Sequence, residues 1–262
     1  MLTVQEITRA LHAIGLAEGM SVVVHSSLSS LGLVEGGADA VIDALLDAIG
    51  EAGTLVLPTF TFPPDPVFDP RTTRSSTGLI PETFRKRAGV RRSLHPTHSV
   101  AACGLLAEHF ISGHPGATAL GMDSPLHRLA LAEGCVLLLG VQHTSNAMVH
   151  VGEAIARVPY LDLPYSDAFS VSIPVRLPAG GEVIVPPKEN PGCSVNFNVV
   201  EEPLKRRGAI TYGKVGDADS QLMRATDIID VVGELVSINP AALLCDIEWC
   251  PFCPRARKLV EL

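Results

Sequence analysis

Ser21-Val22-Val23-Val24-His25-Ser26-Ser27-Leu28, then Gly36-Gly37, then Gly53-Thr54-Leu55-Val56-Leu57-Pro58: the reading of this stretch decides the fold. Ser21 to Val24 is a short apolar run rich in β-branched residues, which predicts a buried strand. It ends in small polar residues at His25-Ser26-Ser27-Leu28. Gly36-Gly37 opens a helix whose Val41, Ile42, Leu45, Leu46 and Ile49 form one apolar stripe, and Gly50 and Gly53 close it. Thr54 to Leu57 is the next strand, stopped by Pro58. Upstream, Thr3-Val4-Gln5-Glu6 has the spacing of a capping box, with Ile7, Leu11 and Ile14 behind it on one face. The order helix–strand–helix–strand predicts an α/β fold with a largely parallel, mixed central sheet. In such folds ligands gather at the carboxyl ends of strands, where His25-Ser26-Ser27-Leu28 and Pro58-Thr59-Phe60-Thr61 both fall.

Working outward, residues 62 to 78 are rich in Pro, Asp, Thr and Ser and read as a long loop, a lid or a substrate wall. Ser99 to Gly104 and Val136 to Val141 read as strands, and Ser145 to Arg157 has helical spacing. Ala168 to Arg176 and Gly181 to Val185, around Pro178-Ala179-Gly180, suggest a hairpin, and a helix follows near Ser220 to Leu235. With no fixed-period repeat and no linker, residues 1–262 form one domain, in which about 168–262 is an appended subregion.

At 262 residues, 47% hydrophobic and 18% charged, the chain is too apolar for a disordered segment. Lys plus Arg is 20 against 28 Asp plus Glu, a net charge of −8, which argues against a nucleic-acid partner and favours a cationic small molecule. No apolar run approaches the roughly 18 residues of a membrane span, and the first helix is polar rather than signal-like. A cytoplasmic protein is expected. Of six Cys, Cys103 and Cys135 sit in apolar strings and read as buried small hydrophobes.

Two tempting motifs fail. Gly208 to Lys214 resembles a phosphate loop but lacks the hydroxyl residue after the lysine, and reads as a surface turn. Trp249-Cys250-Pro251-Phe252-Cys253 has the spacing of a dithiol oxidoreductase, but nine residues after it cannot complete such a domain. Neither a His-Glu-x-x-His helix nor a Gly-x-Ser-x-Gly elbow is present. Among the nine histidines, His109, His114 and His127 read as solvated.

On a helix His150 and Glu153 share a face, and a carboxylate beside an imidazole fixes its tautomer and raises its basicity, as a general base requires. Alone this pair is weak. Together with His25-Ser26-Ser27-Leu28, Gly53 to Thr61, Phe68-Asp69-Pro70, Gly78 to Arg85, Arg92-Ser93-Leu94-His95-Pro96-Thr97-His98-Ser99, Ser124-Pro125-Leu126, Leu138 to Val141 and His150-Val151-Gly152-Glu153, the chain resembles the aminoglycoside 3-N-acetyltransferase family. The resemblance runs from about Val23 to Glu153 and more loosely beyond.

It implies a three-layer α/β/α sandwich and transfer of an acetyl group from acetyl-CoA to an amine of an aminoglycoside, a resistance activity. His150 would be the base and Glu153 its orienting carboxylate. His25, Ser26, Ser27 and Leu28 would line the coenzyme A site, with Ser93, His95, Pro96 and Ser99 nearby. The lesser alternative for Ser26 and Ser27 is that they finish a strand; His95 could equally be a turn residue and His98 a core histidine. A polycationic acceptor needs carboxylates, and Asp65, Asp69, Glu82 and Asp123 are the candidates. The chain departs from the family where Asn146-Ala147 replaces Asn-Thr, removing a hydroxyl, and in its C-terminal cysteines. Cys245, Cys250 and Cys253, with Cys193 as fourth ligand, suggest a structural zinc; free thiols or a Cys250–Cys253 disulfide are the alternatives. The rival functions are a same-fold acetyltransferase for another amine, such as a biosynthetic amino sugar, and a noncatalytic zinc-stabilised binding protein.

Overall fold

The computed structural model describes residues 1–189 and 191–261. The chain runs α1 (Val4–Ala13), β1 (Ser21–Ser26), α2 (Gly37–Ile49), β2 (Thr54–Pro58), α3 (Leu79–Phe84), β3 (Arg91–Arg92), β4 (Val100–Gly104), α4 (Ala107–Ile111), α5 (Pro125–Leu131), β5 (Cys135–Leu139) and α6 (Met148–Ile155). It continues with β6 (Ile173–Arg176), β7 (Glu182–Val185), α7 (Glu201–Arg206), β8 (Thr211–Val215), β9 (Ala218–Arg224), α8 (Ala225–Ile238) and α9 (Cys253–Val260).

Seven strands form one sheet in the order β3-β4-β2-β1-β5-β9-β8. It is mixed: β2, β1 and β5 are parallel, and the flanking pairs are antiparallel. The period of two along each strand divides the core. Val22, Val24, Leu55, Leu57, Leu137 and Leu139 pack toward α1, α2 and α3. Val23, Val56, Val136 and Leu138 pack the other way, toward α4, α5, α6, α8 and α9. Apolar side chains on both faces require helices on both faces, and the result is a three-layer sandwich. The expected capping box closes the start of α1 through Thr3 and Glu6.

Two expectations need correction. The helix anticipated near Ser220 begins only at Ala225, because residues 218–224 alternate between the two cores as a strand: Leu222 faces one and Met223 the other. Residues 211–215, read as part of a surface turn, are β8, paired with β9 at the sheet edge. The anticipated hairpin is β6–β7, and it packs Ile173, Val175 and Val185 on Phe68 of the 62–78 loop.

Candidate active site

The parallel strands β1 and β5 end side by side, with Ser26 opposite Leu139. Beyond β5, Gly140 turns with positive φ at a place where a Cβ would lie 2.6 Å from that of Ser30. A short 3-10 turn at His143–Ser145 follows, and the buried Asn146 accepts the Met148 N–H through Oδ1 at the start of α6. The Ala147 N–H donates to His25 Nε2 at 3.3 Å, so β1 and α6 are tied at the strand ends. Burial, with His143 adding to it, lowers the His25 pKa to about 3. The ring is therefore neutral, and with Nε2 accepting, its proton sits on Nδ1.

His150 and Glu153 stand one turn apart on α6, joined Nδ1 to Oε2 at 2.6 Å. Glu153 is only 4% exposed, and its other oxygen accepts the Tyr160 hydroxyl at 2.9 Å. A carboxylate held at both oxygens keeps the Nδ1 proton on the imidazole and leaves the Nε2 lone pair for a ligand. Phe197 packs edge-on against the His150 ring at 4.6 Å.

His150 lines a cavity of about 620 Å³ together with His25, Ser26, Ala147, His98 and the 191–195 segment. Ser26 Oγ is buried without a protein partner, a polar atom left for a ligand to satisfy. Most of the remaining wall is apolar: Phe60, Phe62, Tyr165 and Phe169, with Pro58, Pro63, Pro81 and Pro191. His98 lies against Phe60 and Phe62, with Thr97 Oγ1 2.8 Å from its Nδ1, and burial holds its pKa well below the usual imidazole range. The wall carries no carboxylate among the described residues.

The other sequence candidates fall in different places. Ser27 is bonded to Ser30 and, through its N–H, to Leu139; like Leu28 it lies at the short turn after β1, outside the cavity lining. Ser93, His95, Pro96 and Ser99 are buried and also outside the lining. Ser93 accepts the Val100 N–H and lies 2.8 Å from His114 Nδ1, His95 stacks on His114, and Ser99 donates to the Thr59 carbonyl. Asp65 and Asp69 border a neighbouring groove of about 640 Å³ that shares Phe62 and Pro63 with the main cavity. Asp69 is engaged by the Arg71 N–H and by Arg176. Glu82 is buried under Arg85 and Lys86; burial pushes its pKa up, but those two cations outweigh it and bring it down to about 2. Asp123 is exposed and lines none of these cavities.

His114 and His127, read as solvated, are buried. His114 was misread because its burial comes from partners 21 residues upstream, Ser93 above all. Sequence reasoning also missed Tyr160, which stands outside any helix, and Arg92. That guanidinium is buried over the Phe68 ring and held by Thr59 and Ser99, and burial lowers its pKa to about 9. An arginine beside Ser93 and His95 was in plain view, but nothing local marked it as buried.

Cys193, Cys245, Cys250 and Cys253 converge so that their sulfurs all lie within 4.8 Å of one another. A zinc tetrahedron with metal–sulfur bonds of about 2.3 Å has sulfur–sulfur edges of about 3.8 Å. The Cys193–Cys245 separation is 3.9 Å, and two backbone N–H groups, those of Cys245 and Cys253, point at sulfurs of the set. Donation from the Cys253 thiol pushes the Cys193 pKa down and that of Cys253 itself up, so the set shares its protons unevenly, and a metal would need the remaining thiols to give theirs up. These residues fit the ion.

The model of the aminoglycoside 3-N-acetyltransferase family matches residues 23–237. The aminoglycoside N(3')-acetyltransferase-like protein YokD of Bacillus subtilis, from prophage SPbeta, is 34% identical over 252 residues, 87% of this chain and 90% of that protein. Among solved structures, a mutant of aminoglycoside acetyltransferase AAC(3)-IVa in complex with gentamicin superposes with a TM-score of 0.87 at 32% identity, over 99% of this chain and 98% of that one. The AAC-IIIb binary complex with CoASH gives 0.77 at 26% identity, over 90% and 96%. With a family match from β1 to α8, and relatives similar over nearly their whole length, the chain belongs to the aminoglycoside 3-N-acetyltransferase family.

Proposed function

We infer that the chain transfers the acetyl group of acetyl-CoA to an amino group of an aminoglycoside, inactivating it. The observation that carries this reading is the His150–Glu153 pair opening, through Nε2, onto a cavity beside the unpartnered hydroxyl of Ser26. His150 Nε2 takes a proton from the acceptor ammonium. The freed amine attacks the thioester carbonyl and the C–N bond forms; as the C–S bond breaks, the proton held by His150 goes to coenzyme A as its thiol, and the second proton shed by the nitrogen as it becomes an amide goes to solvent. Glu153 holds the ring and stabilises the imidazolium. His25 Nδ1–H and Ser26 Oγ are the donors that face the coenzyme arm. Ser27 and Leu28 shape the turn beneath it, while Ser93, His95, Pro96 and Ser99 support the wall from behind. Asp65 is the carboxylate best placed for a second ammonium; Asp69 and Glu82 are occupied internally.

The four cysteines hold a structural zinc in this reading, supported by the spacing of their sulfurs. The whole chain works as one domain, since β8 and β9 from its C-terminal third complete the central sheet. No helix among the described residues is long and apolar enough to cross a membrane, and a zinc held by four thiolates fits a reducing, cytoplasmic setting. The test is a panel of aminoglycosides assayed for acetyl-CoA-dependent release of free thiol. Turnover with at least one supports the reading; acetyl-CoA binding with no turnover on any of them, but turnover on another amine, redirects it to that acceptor.

A further inference from the structure

Phe252 stands between Cys250 and Cys253 and is 1% exposed. Three groups enclose its ring. Gly192 approaches so closely that a Cβ there would lie 2.4 Å from it, Tyr165 stacks at 6.3 Å, and Tyr160 meets it edge-on at 5.9 Å. Tyr160 is the residue whose hydroxyl donates to Glu153 Oε1. A continuous packed path therefore runs from the cysteine knot through Phe252 and Tyr160 to the carboxylate that orients the base. A second path is shorter: Cys193 belongs both to the knot and to the 191–195 wall of the cavity.

We propose that the four-cysteine knot, closed on a metal ion, is a positioning centre for acetyl transfer, holding Glu153 through Phe252 and Tyr160 and the acceptor wall through Cys193. The proposal rests on the acetyltransferase reading for its kinetic arm only. A carboxylate on a single Cγ rotates unless both oxygens are held, and here one is held by His150 and the other by Tyr160. Phe252 has cysteines on both sides aimed at one point, so closing the knot fixes the ring and opening it releases the ring together with Gly192. Phe252 and Tyr160, outside the cavity lining, and Cys193, in its wall, are thus positioning residues that act through the groups they hold.

Tyr160→Phe keeps the ring against Phe252 and removes only the hydroxyl. Its kcat should fall by about 10-fold or more, the scale of lost support to an active-site ligand, with the acetyl-CoA KM and bound zinc unchanged. Wild-type kcat in this variant would overturn the path to Glu153. In the second arm, full-length protein is stripped with a chelator and followed by hydrogen exchange. Amides of 191–195 and 250–253 should exchange faster and regain protection when Zn²⁺ is restored, with kcat and acceptor KM recovering in parallel. Protein that purifies without metal, or that keeps both protection and kinetics when stripped, would overturn the role of the knot. Should no acceptor be found, the acetyltransferase reading fails while the exchange arm still decides the structural coupling.

Discussion

His150 has its two ring nitrogens in different service, Nδ1 bonded to Glu153 and Nε2 left to the cavity. Removing the ring should therefore remove proton transfer and little else. His150→Ala is expected to lose about 10²–10⁴-fold in kcat while acetyl-CoA affinity stays within a few fold; a calorimetric titration beside the kinetics checks both, and near-normal kcat would reject the assignment. This pair was legible because a three-residue spacing on a helix makes neighbours by geometry alone. Tyr160 was not, since its approach to Glu153 depends on how the chain turns after α6. The carboxylates chosen as acceptor contacts show the opposite error. Asp69 and Glu82 are acidic residues in the right region, but their partners Arg71, Arg176, Arg85 and Lys86 already claim them, and a list of charges cannot show which are spent internally.

At the level of elements, α6 owes its placement to α8. Gly152, between His150 and Glu153 in sequence, lies where a Cβ would come 2.6 Å from the Val232 Cβ. Gly152→Ala gains about 1 kcal/mol of intrinsic helix preference but overpacks a β-branched neighbour, which costs about 1–3 kcal/mol. The expected balance is a lower Tm, with kcat reduced further because the pair moves with its helix. A Gly152→Ala protein as stable and active as its parent would show that α6 and α8 adjust without cost. The strands and helices of the first 60 residues were readable because each contrast of pattern was sharp and glycines marked the ends. β9 and α8 were merged because no Gly or Pro separates Arg224 from Ala225 and the Leu222-Met223 pair of β9 runs on into the apolar stripe of α8. β8 was lost because an edge strand with Tyr212 and Lys214 exposed carries little apolar signal.

Across the whole molecule, the most exacting feature is the number of imidazoles sealed inside. Burial is the main cause that lowers the pKa of His25 to about 3 and His114 to about 4, and it holds His95 and His98 well below the ordinary range. Above pH 6.5 all four are neutral whether folded or not, so their full contribution to stability is present. Below it the unfolded chain takes up protons that the folded one refuses, and each group costs about 1.4 kcal/mol per pH unit until its folded pKa is reached. The four losses act in the same direction and reinforce one another. Thermal scans should show Tm falling steeply between pH 6.5 and 5, before most carboxylates protonate; a flat profile to pH 5 would contradict the burial of these rings. The three-layer plan was legible in the alternation of helix and strand, whereas the meeting of Cys193 with three cysteines more than 50 residues away follows from the closed fold and had only residue chemistry to suggest it. The cavity itself is a composite: α6 and β1 supply its chemistry, while residues 62–63, 165–169 and 191–195 supply walls that carry neither His150 nor Glu153. Under changing antibiotic pressure those walls are not equally free to drift. The 191–195 wall, and Tyr165 stacked on Phe252 beside it, are anchored to the cysteine knot, so their mutations risk the catalyst, whereas residues 62–63 can vary at little cost, and new resistance spectra should arise there first.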